Sequence, residues 1–464
     1  MSAPLQADVV VIGMGPGGED VAGRLAKAGL DVVGIDRELV GGECPYWGCV
    51  PSKMMIRAAN LLTEARRIPG LAGEATVTPD WAPVAQRIRD DATDDWNDRV
   101  AVERFEGKGG RLVRGEGRIV APGRVEVGDQ VIEARRAIVV GTGTRAAVPP
   151  IAGLDQVGYW TNRQAIEVTE LPPSLLVLGG GAIGVELAQV FARFGVEVTV
   201  VEALDRLVAN EEPEAGELLA RVFTDEGIGV RTGVKATEAR RSGDGGDGRG
   251  DVVLVLEDGT ELSAAEILVA TGRSTDLAAV GLGAVGVDES ERFAPVDDHL
   301  RVVGADGVWA VGDITGKGAF THVALYQARI VVADILGEDP TAADYKALSR
   351  VTFTDPEIGS VGLTEAQARE QGLDVRVAQV DLADTSRGWI HKVGNDGLIK
   401  LVEDRRRGVL VGATSAGPVG GEVLGLLALA VHAEVPVATL LQMIYAYPTF
   451  HRAVFDALKK LSAD

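Results

Sequence analysis

The chain contains little cysteine, with two residues in 464. So few cysteines exclude a disulfide scaffold, in which a small fold depends on many cross-links. They also argue against a structural zinc site, which needs about four ligands, because the other candidate ligands are five scattered histidines. The two cysteines therefore form a chemically active pair or are unrelated core residues.

Positive charge is also scarce: 46 lysines and arginines face 68 acidic residues, giving a formal net charge of −22. Such a surface argues against nucleic acid and anionic membranes as partners. Long apolar runs are missing too. The best candidate for a membrane span, residues 423–444, is interrupted by His432, Glu434 and Pro436. Because no cleavable signal follows Met1, the sequence predicts a cytoplasmic protein of about two to four domains without membrane insertion.

Both cysteines lie in one short stretch, Gly41–Lys53, separated by four residues. Pro51 follows the second cysteine closely and predicts a helix that starts near it, because proline is favoured in the first turn. Cys49 would then lie at the positive end of the helix dipole, which favours a thiolate. Cys44 is close enough to form a disulfide with it. The pair is typical of redox chemistry, since a structural disulfide closing so small a loop gains little stability.

A dinucleotide-binding pattern occupies the N-terminus. Residues 8–12 predict a buried strand, Gly13–Gly18 a glycine-rich turn, and the run to Ala28 a helix. A second strand, residues 31–35, ends at Asp36. The glycines permit a tight turn and close approach to a pyrophosphate, and the acid can accept a hydrogen bond from a ribose hydroxyl.

The same pattern returns 166 residues later. Leu175–Leu178 predicts the strand, Gly179–Gly184 the turn, Val185–Phe194 the helix and Val196–Val201 the second strand. Glu202 occupies the acidic position. One such motif is weak evidence, but two in full strand–turn–helix context predict two bound dinucleotides.

Two further strands each run into a Thr-Gly turn, at 137–143 and 267–273, and these are predicted to close the two nucleotide-binding units. Residues 124–127 and 252–256 alternate with period two, which predicts small antiparallel meanders. Another buried strand, residues 308–313, ends at an acid that can bind a polyol chain or cap a turn.

Beyond these units the sequence changes character. Residues 241–251 predict a solvated hairpin tip without a function. From Asp344 onward an α+β module without a phosphate loop is expected. Its predicted strands are 350–363 and 398–402, and its predicted helices are 364–371, 421–433 and 437–443.

Taken in order, these motifs resemble the class I FAD-dependent pyridine nucleotide–disulfide oxidoreductases, a family that includes dihydrolipoamide dehydrogenase, mercuric reductase and soluble transhydrogenase. The resemblance runs essentially end to end. It implies an α/β fold with two Rossmann-like dinucleotide-binding domains and a C-terminal α+β dimerisation domain. The implied boundaries are 1–150 and 276–343 for the FAD-binding domain, 151–275 for the NAD(P)-binding domain and 344–464 for the dimerisation domain.

The resemblance also implies the cofactors FAD and NADH, with NADPH as an alternative, and no metal. Cys44 would be the thiol that faces substrate, Cys49 the thiol beside the flavin, and Lys53 would pair with Glu186 near the flavin. The residues that would hold FAD are Gly13, Gly15, Gly18, Asp36, Gly42, Lys53, Gly143, Asp313 and Thr321. Those that would hold the nicotinamide nucleotide are Gly179, Gly181, Gly184, Glu202, Val234 and Gly272.

The C-terminus departs from the family. Most members carry a histidine and, five residues later, a glutamate that act as acid–base partner of the substrate-side thiol across the dimer. Here Tyr447 and Arg452 occupy these positions. A tyrosine with a pKa near 10 and a permanently protonated arginine cannot perform that role. His451 is expected either to replace the base, from the same helical face as Tyr447, or to be an interface histidine.

The resemblance therefore implies a homodimeric NAD(P)H:acceptor oxidoreductase, with NADH as the expected reductant and an active site shared across the interface. Its partner would be a small-molecule electron acceptor: a disulfide, a quinone or another small electrophile. Aromatic walls for a flat acceptor are expected from Tyr46, Trp47, Tyr445 and Tyr447. One alternative is a dihydrolipoamide dehydrogenase with a rewired base. Another is a flavin-containing redox sensor without turnover.

Overall fold

The computed structural model describes residues 4–243 and 250–463. It divides the chain into two compact units. The first comprises the described residues up to Pro51, together with Gln86–Ala147 and Arg273–Asp344. The second comprises Ser52–Ala85, the described part of Val148–Gly272, and the described residues from Tyr345 onward.

The first unit is built on a mixed seven-stranded sheet. Its strands, in chain order, are β1 (Leu5–Ile12), β2 (Val32–Asp36), β3 (Arg111–Arg114), β4 (Gly117–Ala121), β5 (Arg124–Val127), β6 (Gln130–Val140) and the late strand Val308–Ala310. The order across the sheet is β3-β2-β1-β6-β5-β4, with the late strand pairing in parallel with β6. Strands β1, β2, β3 and β6 run parallel, whereas β4–β6 form an antiparallel meander. A two-stranded ribbon, Arg145–Ala146 with Arg273–Ser274, accompanies this sheet.

Alternate residues of β1 enter two separate hydrophobic clusters, Val10 and Ile12 in one and Val9 and Val11 in the other. The strand is therefore buried on both faces, as expected for a parallel sheet covered by other elements. The α-helices of this unit are Pro16–Lys27, Glu43–Tyr46, Arg99–Glu106, Leu277–Val280 and Thr321–Leu336. Shorter turns of 3₁₀ helix cover Leu282–Val285 and Gly312–Thr315, and Ile88–Ala92 is a π-helical turn.

The second unit contains a four-stranded parallel sheet, ordered Gly229–Arg231, Glu197–Val201, Ser174–Leu178 and Glu266–Val269. Its antiparallel meander is Ala236–Arg241, Val252–Leu256 and Glu261–Ala264. The helices of this part are Cys49–Arg66, Ala82–Arg87, Leu154–Val157, Asn162–Glu167, Ala182–Arg193 and Pro213–Asp225, of which the first begins in the other unit.

The C-terminal part of the second unit is a five-stranded antiparallel sheet, ordered Ser349–Thr352, Glu357–Gly362, Val409–Gly417, Leu398–Asp404 and Val375–Asp381. Its helices are Glu365–Glu370, Ser386–His391, Gly420–His432, Val437–Leu441 and Arg452–Ala463, with a 3₁₀ turn at Leu382–Asp384. Leu401, Leu427 and Leu458 lie fully buried in one cluster between the sheet and the helices. The α/β class with an α+β C-terminal module is thus confirmed.

Two local predictions need correction, and a third cannot be compared over its whole length. The stretch 350–363 is two strands of a hairpin, Ser349–Thr352 and Glu357–Gly362, because residues 353–356 leave the sheet. The helix expected near Pro51 begins two residues earlier, at Cys49, so the proline lies within its first turn. The predicted tip 241–251 lies partly outside the described residues, which stop at 243 and resume at 250.

No helix within the described residues combines the length and the apolar character needed to cross a membrane. The stretch 423–444 contains the end of helix Gly420–His432 and the separate helix Val437–Leu441. Its predicted interruption by polar residues and proline is therefore confirmed.

Candidate active site

The two cysteines lie at the starts of two consecutive helices. Cys44 is on the short helix Glu43–Tyr46, and Cys49 is the first residue of the helix Cys49–Arg66. Both are free thiols, Cys44 half-buried and Cys49 exposed. Gly42, with φ of +68°, begins the turn, and a Cβ atom there would stand 2.8 Å from the Cα of Gly15. A larger residue would push the cysteine turn away from the first glycine loop.

The surroundings of the Cys44 sulfur change the pKa of that thiol. A hydrogen bond to Cys49 and, secondarily, burial raise the pKa of the Cys44 thiol, while a hydrogen bond from Thr321 lowers it. The Thr321 hydroxyl also lies 3.5 Å from the Cys49 sulfur. In the open pair the surroundings of Cys44 therefore favour its protonated form, and Thr321 contacts both sulfurs.

The glycines of the first glycine loop are needed for two different reasons: Gly13 and Gly18 for close packing of the backbone, and Gly15 for the space that a ligand would fill. A Cβ atom at Gly13 would stand 2.6 Å from the Gly141 carbonyl oxygen, and one at Gly18 would stand 1.9 Å from the Gly13 carbonyl oxygen. At Gly15, in contrast, the nearest described atom is 4.0 Å away. The open side of Gly15 faces the start of helix Pro16–Lys27, where a pyrophosphate would be stabilised. These residues fit a dinucleotide.

Asp36 accepts hydrogen bonds from two backbone amides, Met14 over 2.7 Å and Glu38 over 2.8 Å. Burial raises the pKa of Asp36 despite these two bonds, which act in the opposite direction. The carboxylate has lone pairs left for a ribose hydroxyl, the role predicted from the sequence.

The second glycine loop repeats this arrangement. Cβ atoms at Gly179 and Gly184 would stand 2.4 Å from the Ala270 carbonyl oxygen and 2.0 Å from the Gly179 carbonyl oxygen. At Gly181 no described atom lies within 4 Å, so this loop also fits a dinucleotide.

Glu202 accepts the amides of Gly180 over 2.6 Å and Leu204 over 2.7 Å. The Val234 amide donates to the Glu202 carbonyl over 3.3 Å, which brings Val234 beside the acid. The guanidinium of Arg206 is held by Asp205 and by the Ala209 carbonyl.

Three further predicted cofactor residues, Gly143, Gly272 and Asp313, lie shortly after the ends of strands. Gly143 and Gly272 have φ of +64° and +118°, and a Cβ atom at either would meet no described atom within 4 Å, so each leaves open space beside the backbone. Asp313 lies in the 3₁₀ turn Gly312–Thr315 and accepts the Thr144 hydroxyl over 2.7 Å. Both acid and hydroxyl belong to the first unit.

Lys53 and Glu186 form the ion pair expected from the sequence. Lys53 Nζ lies 2.6 Å from Glu186 Oε2, and the Glu186 side chain is 8% exposed. The other carboxylate oxygen accepts the Phe353 amide over 2.8 Å, and the Phe353 ring lies 4.6 Å from the ammonium. Helix Cys49–Arg66 is thereby joined to helix Ala182–Arg193.

A buried polar network holds the same two helices further along. Asp355 accepts Arg67 over 2.8 Å and Arg193 over 2.9 Å. Arg193 also donates to Asn60 over 2.6 Å, and Gln189 accepts the Asp355 amide over 2.8 Å. These bonds tie the helix that carries Lys53 to the helix that carries Glu186 at a second point.

The C-terminal residues are arranged differently from the prediction. Tyr447 lies in a turn and is 68% exposed, with the Arg452 guanidinium 5.6 Å from its ring. The helix begins only at Arg452, so Tyr447 and His451 do not share a helical face as expected. His451 lies 3.4 Å from the Thr449 hydroxyl and lines a cavity of about 750 Å³.

Of the four aromatic residues expected to line an acceptor pocket, three are buried within their own units. Tyr46 is 6% exposed and donates to the Val40 carbonyl, and Tyr445 is 7% exposed and donates to the Leu440 carbonyl. Trp47 is 9% exposed. The expectation is wrong for these residues, because packing leaves little ring surface for an acceptor.

Sequence reasoning missed several contributors. The amides of Met14 and Gly180, each the second residue of its glycine loop, orient the acids of the two nucleotide sites. Thr144 and Arg273 contact each other, and Phe353 contacts the ion pair. The available signal was position, since Thr144 and Arg273 directly follow the two Thr-Gly turns.

Residues 7–328 match the family described as pyridine nucleotide-disulphide oxidoreductase, and residues 348–458 match its dimerisation domain. A dihydrolipoyl dehydrogenase of Halobacterium salinarum is 34% identical over 475 residues, covering 97% of this chain and 95% of the relative. A mercuric reductase of Streptomyces lividans is 33% identical over 468 residues, covering 98% and 96%. The HOCl-induced flavoprotein disulfide reductase RclA of Escherichia coli has a TM-score of 0.84 at 27% identity, covering 97% and 99%.

Proposed function

The chain belongs to the pyridine nucleotide-disulphide oxidoreductase family, and from this premise we propose its acceptor class and the residues that carry its reaction. It is an FAD-dependent enzyme that uses NAD(P)H, as its family and relatives establish. We propose NADH as the preferred reductant and a quinone or another small oxidant as the acceptor. The observation that carries this acceptor class is the presence of Tyr447 and Arg452 at the two positions where most family members have a histidine and a glutamate. That histidine and glutamate exchange protons with the substrate-side thiol, and Tyr447 and Arg452 cannot.

We propose that the two glycine loops and the acids beside them hold the two cofactors. When bound, FAD supplies the two-electron step between the nicotinamide and the thiol pair. Asp36 and Asp313 accept hydrogen bonds from hydroxyl groups of FAD, and Glu202 accepts those of the nicotinamide nucleotide. Gly15 and Gly181 leave room for the pyrophosphates, while Gly18 and Gly184 keep each helix close to its strand; the other glycines, Thr321 and Val234 complete the cradles. Lys53, held by Glu186, supplies a fixed positive charge beside the reacting groups.

Reduction of the cysteine pair can be written with the residues of this chain alone. Opening the Cys44–Cys49 disulfide consumes two electrons and one proton, giving a Cys44 thiol and a Cys49 thiolate. The raised pKa of Cys44 supports this assignment of the proton. The Cys49 thiolate lies at the N-terminus of an 18-residue helix, whose dipole stabilises negative charge.

Exchange with a disulfide substrate needs Cys44 as a thiolate, and therefore a base that removes its proton. Tyr447 and Arg452 cannot supply that base near neutral pH. Acceptors that take electrons without thiol exchange avoid the requirement. A dihydrolipoamide dehydrogenase with His451 as its base remains the alternative, and a redox sensor without turnover is the third candidate.

We further propose that the active site is shared by two copies of the chain in the cytoplasm, with domains bounded near residues 150, 275 and 343. The family's dimerisation domain is present at residues 348–458. Within it Ile444 is 98% exposed and Trp389 is 73% exposed, which supports burial of these side chains against a second copy.

Steady-state NADH oxidation with a panel of acceptors tests the proposal. The panel contains lipoamide, glutathione disulfide, a naphthoquinone and Cu(II), since one solved RclA structure is a Cu(II) complex. We expect the quinone or Cu(II) to give a kcat/KM at least about tenfold above that of either disulfide, because a positioned base is worth about 10²–10⁴ in rate. Faster turnover of lipoamide would favour the alternative, and absence of turnover with every acceptor would favour the sensor.

A further inference from the structure

Three side chains of the first unit form a continuous hydrogen-bonded series, here called the Arg273 relay: Arg273, Thr144 and Asp313. Arg273 Nε donates to Thr144 Oγ1 over 2.7 Å, and its Nη2 donates to the Thr144 carbonyl over 2.6 Å. Thr144 Oγ1 in turn donates to Asp313 Oδ2 over 2.7 Å. The Arg273 side chain is only 19% exposed, so these bonds are well protected from solvent.

The direction of every bond in the relay is fixed by chemistry. A guanidinium can only donate, and an ionised carboxylate can only accept. The Thr144 hydroxyl accepts from Arg273, so its single hydrogen is directed at Asp313. Asp313 Oδ2 therefore already accepts one hydrogen bond, whereas Oδ1 has no hydrogen-bond partner within the described part of the chain.

The backbone holds Arg273 and Thr144 in register. Arg145–Ala146 pairs with Arg273–Ser274 as an antiparallel ribbon, in which Arg273 stands opposite Ala146. Thr144 precedes one strand of the ribbon and Arg273 begins the other. Arg273 also approaches the Glu43 carboxylate, beside Cys44, at 3.7 Å. This distance is longer than the hydrogen bonds of the relay, so the main partner of Arg273 is Thr144.

We propose that Arg273 and Thr144 are positioning residues that present Asp313 as a one-sided acceptor for a ligand hydroxyl. The inference rests on the proposed function, in which Asp313 binds the polyol chain of FAD. The relay takes up one acceptor site on Oδ2, brings the positive charge of Arg273 near the carboxylate, and leaves Oδ1 free to accept a hydrogen bond from the polyol. Such a site selects a hydroxyl donor and disfavours an anionic group at this point of the ligand.

The test measures FAD release from diluted holoenzyme by flavin fluorescence, with ADP as a competitor that lacks the polyol. Thr144→Val and Arg273→Met should each weaken FAD binding by about tenfold, the effect expected of one hydrogen bond to a charged group. The Ki of ADP should stay within about twofold, because ADP does not reach Asp313. Thr144→Ser should restore FAD affinity, since it keeps the hydroxyl.

Arg145→Met is the matched control, because Arg145 lies in the same ribbon and pairs with Asp276 instead. Its FAD affinity should match that of the unmodified enzyme. FAD affinity unchanged in Thr144→Val and Arg273→Met would overturn the inference, and so would equal weakening of FAD and ADP, which indicates general damage. Failure of the unmodified chain to bind FAD would instead overturn the proposed function on which the inference rests.

Discussion

Lys53 and Glu186 lie 2.6 Å apart, and the carboxylate uses its second oxygen to accept the Phe353 amide. The ammonium is thus held by a side chain that is itself held by backbone. Because Lys53 is one helical turn beyond Cys49, the pair links the thiol helix to the helix of the second nucleotide loop.

Removing this ammonium should slow the reduction of bound FAD by NADH. We expect Lys53→Met to lower that rate by about 10- to 100-fold, because a preorganised charge beside the reacting groups is lost. The free energy of unfolding should fall by about 1–3 kcal/mol, since the nearly buried Glu186 carboxylate loses its ionic partner. Stopped-flow absorbance and chemical denaturation measure the two effects. Lys459→Met, on an exposed helix face, is the control, and equal rates in both variants would contradict the role of Lys53.

Burial of Asp36 predicts how FAD binding depends on pH. The pKa of Asp36 lies above the usual value of about 3.9. As the pH is lowered, Asp36 therefore takes up its proton before most other carboxylates of the protein do. Protonation removes the acceptor for the Met14 amide, so FAD affinity should decline as the pH falls through this raised pKa. Asp36→Asn should bind FAD weakly with little pH dependence in that range. Titration of FAD release against pH decides the point.

The same shift affects folding in the opposite direction. The folded state binds the Asp36 proton more tightly than the unfolded chain does, so this group's contribution to stability is present at low pH. It is lost as the pH rises from the unfolded pKa through the folded one. The FAD-free protein should therefore gain a little stability from Asp36 under conditions where the holoenzyme loses its cofactor.

The Cys44 thiol should react slowly near neutral pH. Its raised pKa is due first to the hydrogen bond with Cys49, so Cys49→Ala should lower that pKa and accelerate alkylation of Cys44. Thr321→Val should slow it, because the Thr321 bond favours the thiolate. Iodoacetamide labelling of the reduced protein, read by peptide mass spectrometry across a pH series, gives both rates. A Cys49→Ala profile identical to that of the unmodified protein would exclude this cause.

Glu202 should set the preference for NADH. A carboxylate held by the Gly180 and Leu204 amides accepts ribose hydroxyls and repels a 2′-phosphate. Since Arg206 is engaged by Asp205 and Ala209, little positive charge is free to offset that repulsion. The ratio of kcat/KM for NADH to that for NADPH should exceed one and should fall by about tenfold or more in Glu202→Ala. A preference for NADPH in the unmodified enzyme would refute the assignment.

Restoring the dyad typical of the family should raise disulfide activity. In Tyr447→His/Arg452→Glu the pair can remove a proton from a thiol, so turnover with lipoamide should rise by about 10²-fold. Flavin reduction by NADH should change little, because the substitutions lie in the C-terminal module. His451→Ala is the companion variant. If it abolishes lipoamide turnover in the otherwise unmodified enzyme, His451 already serves as the base.

The sequence was most informative where the backbone itself imposes the requirement. Gly13 and Gly179 need positive φ and close approach to the backbone after a neighbouring strand. As predicted, the acids lie at the ends of their strands: Asp36 is the last residue of one, and Glu202 directly follows the other. The burial of Tyr46 and Tyr445 was not predictable in this way, because it depends on packing between segments distant in sequence. The hydroxyl–guanidinium contact joins Thr144 and Arg273, which are 129 residues apart in the sequence. The only hint of it in the sequence is that each residue directly follows a Thr-Gly turn.

Gly15 and Gly181 have one consequence for experimental design. Both adopt extended backbone angles that alanine tolerates, with φ of −67° and −77°, and both have open space where a Cβ would stand. A methyl group at either position should therefore obstruct the dinucleotide expected there without disturbing the fold. The two variants should therefore affect the two cofactors separately. Gly15→Ala should give a folded chain that binds FAD poorly, and Gly181→Ala should give a yellow, FAD-loaded protein whose flavin NADH cannot reduce.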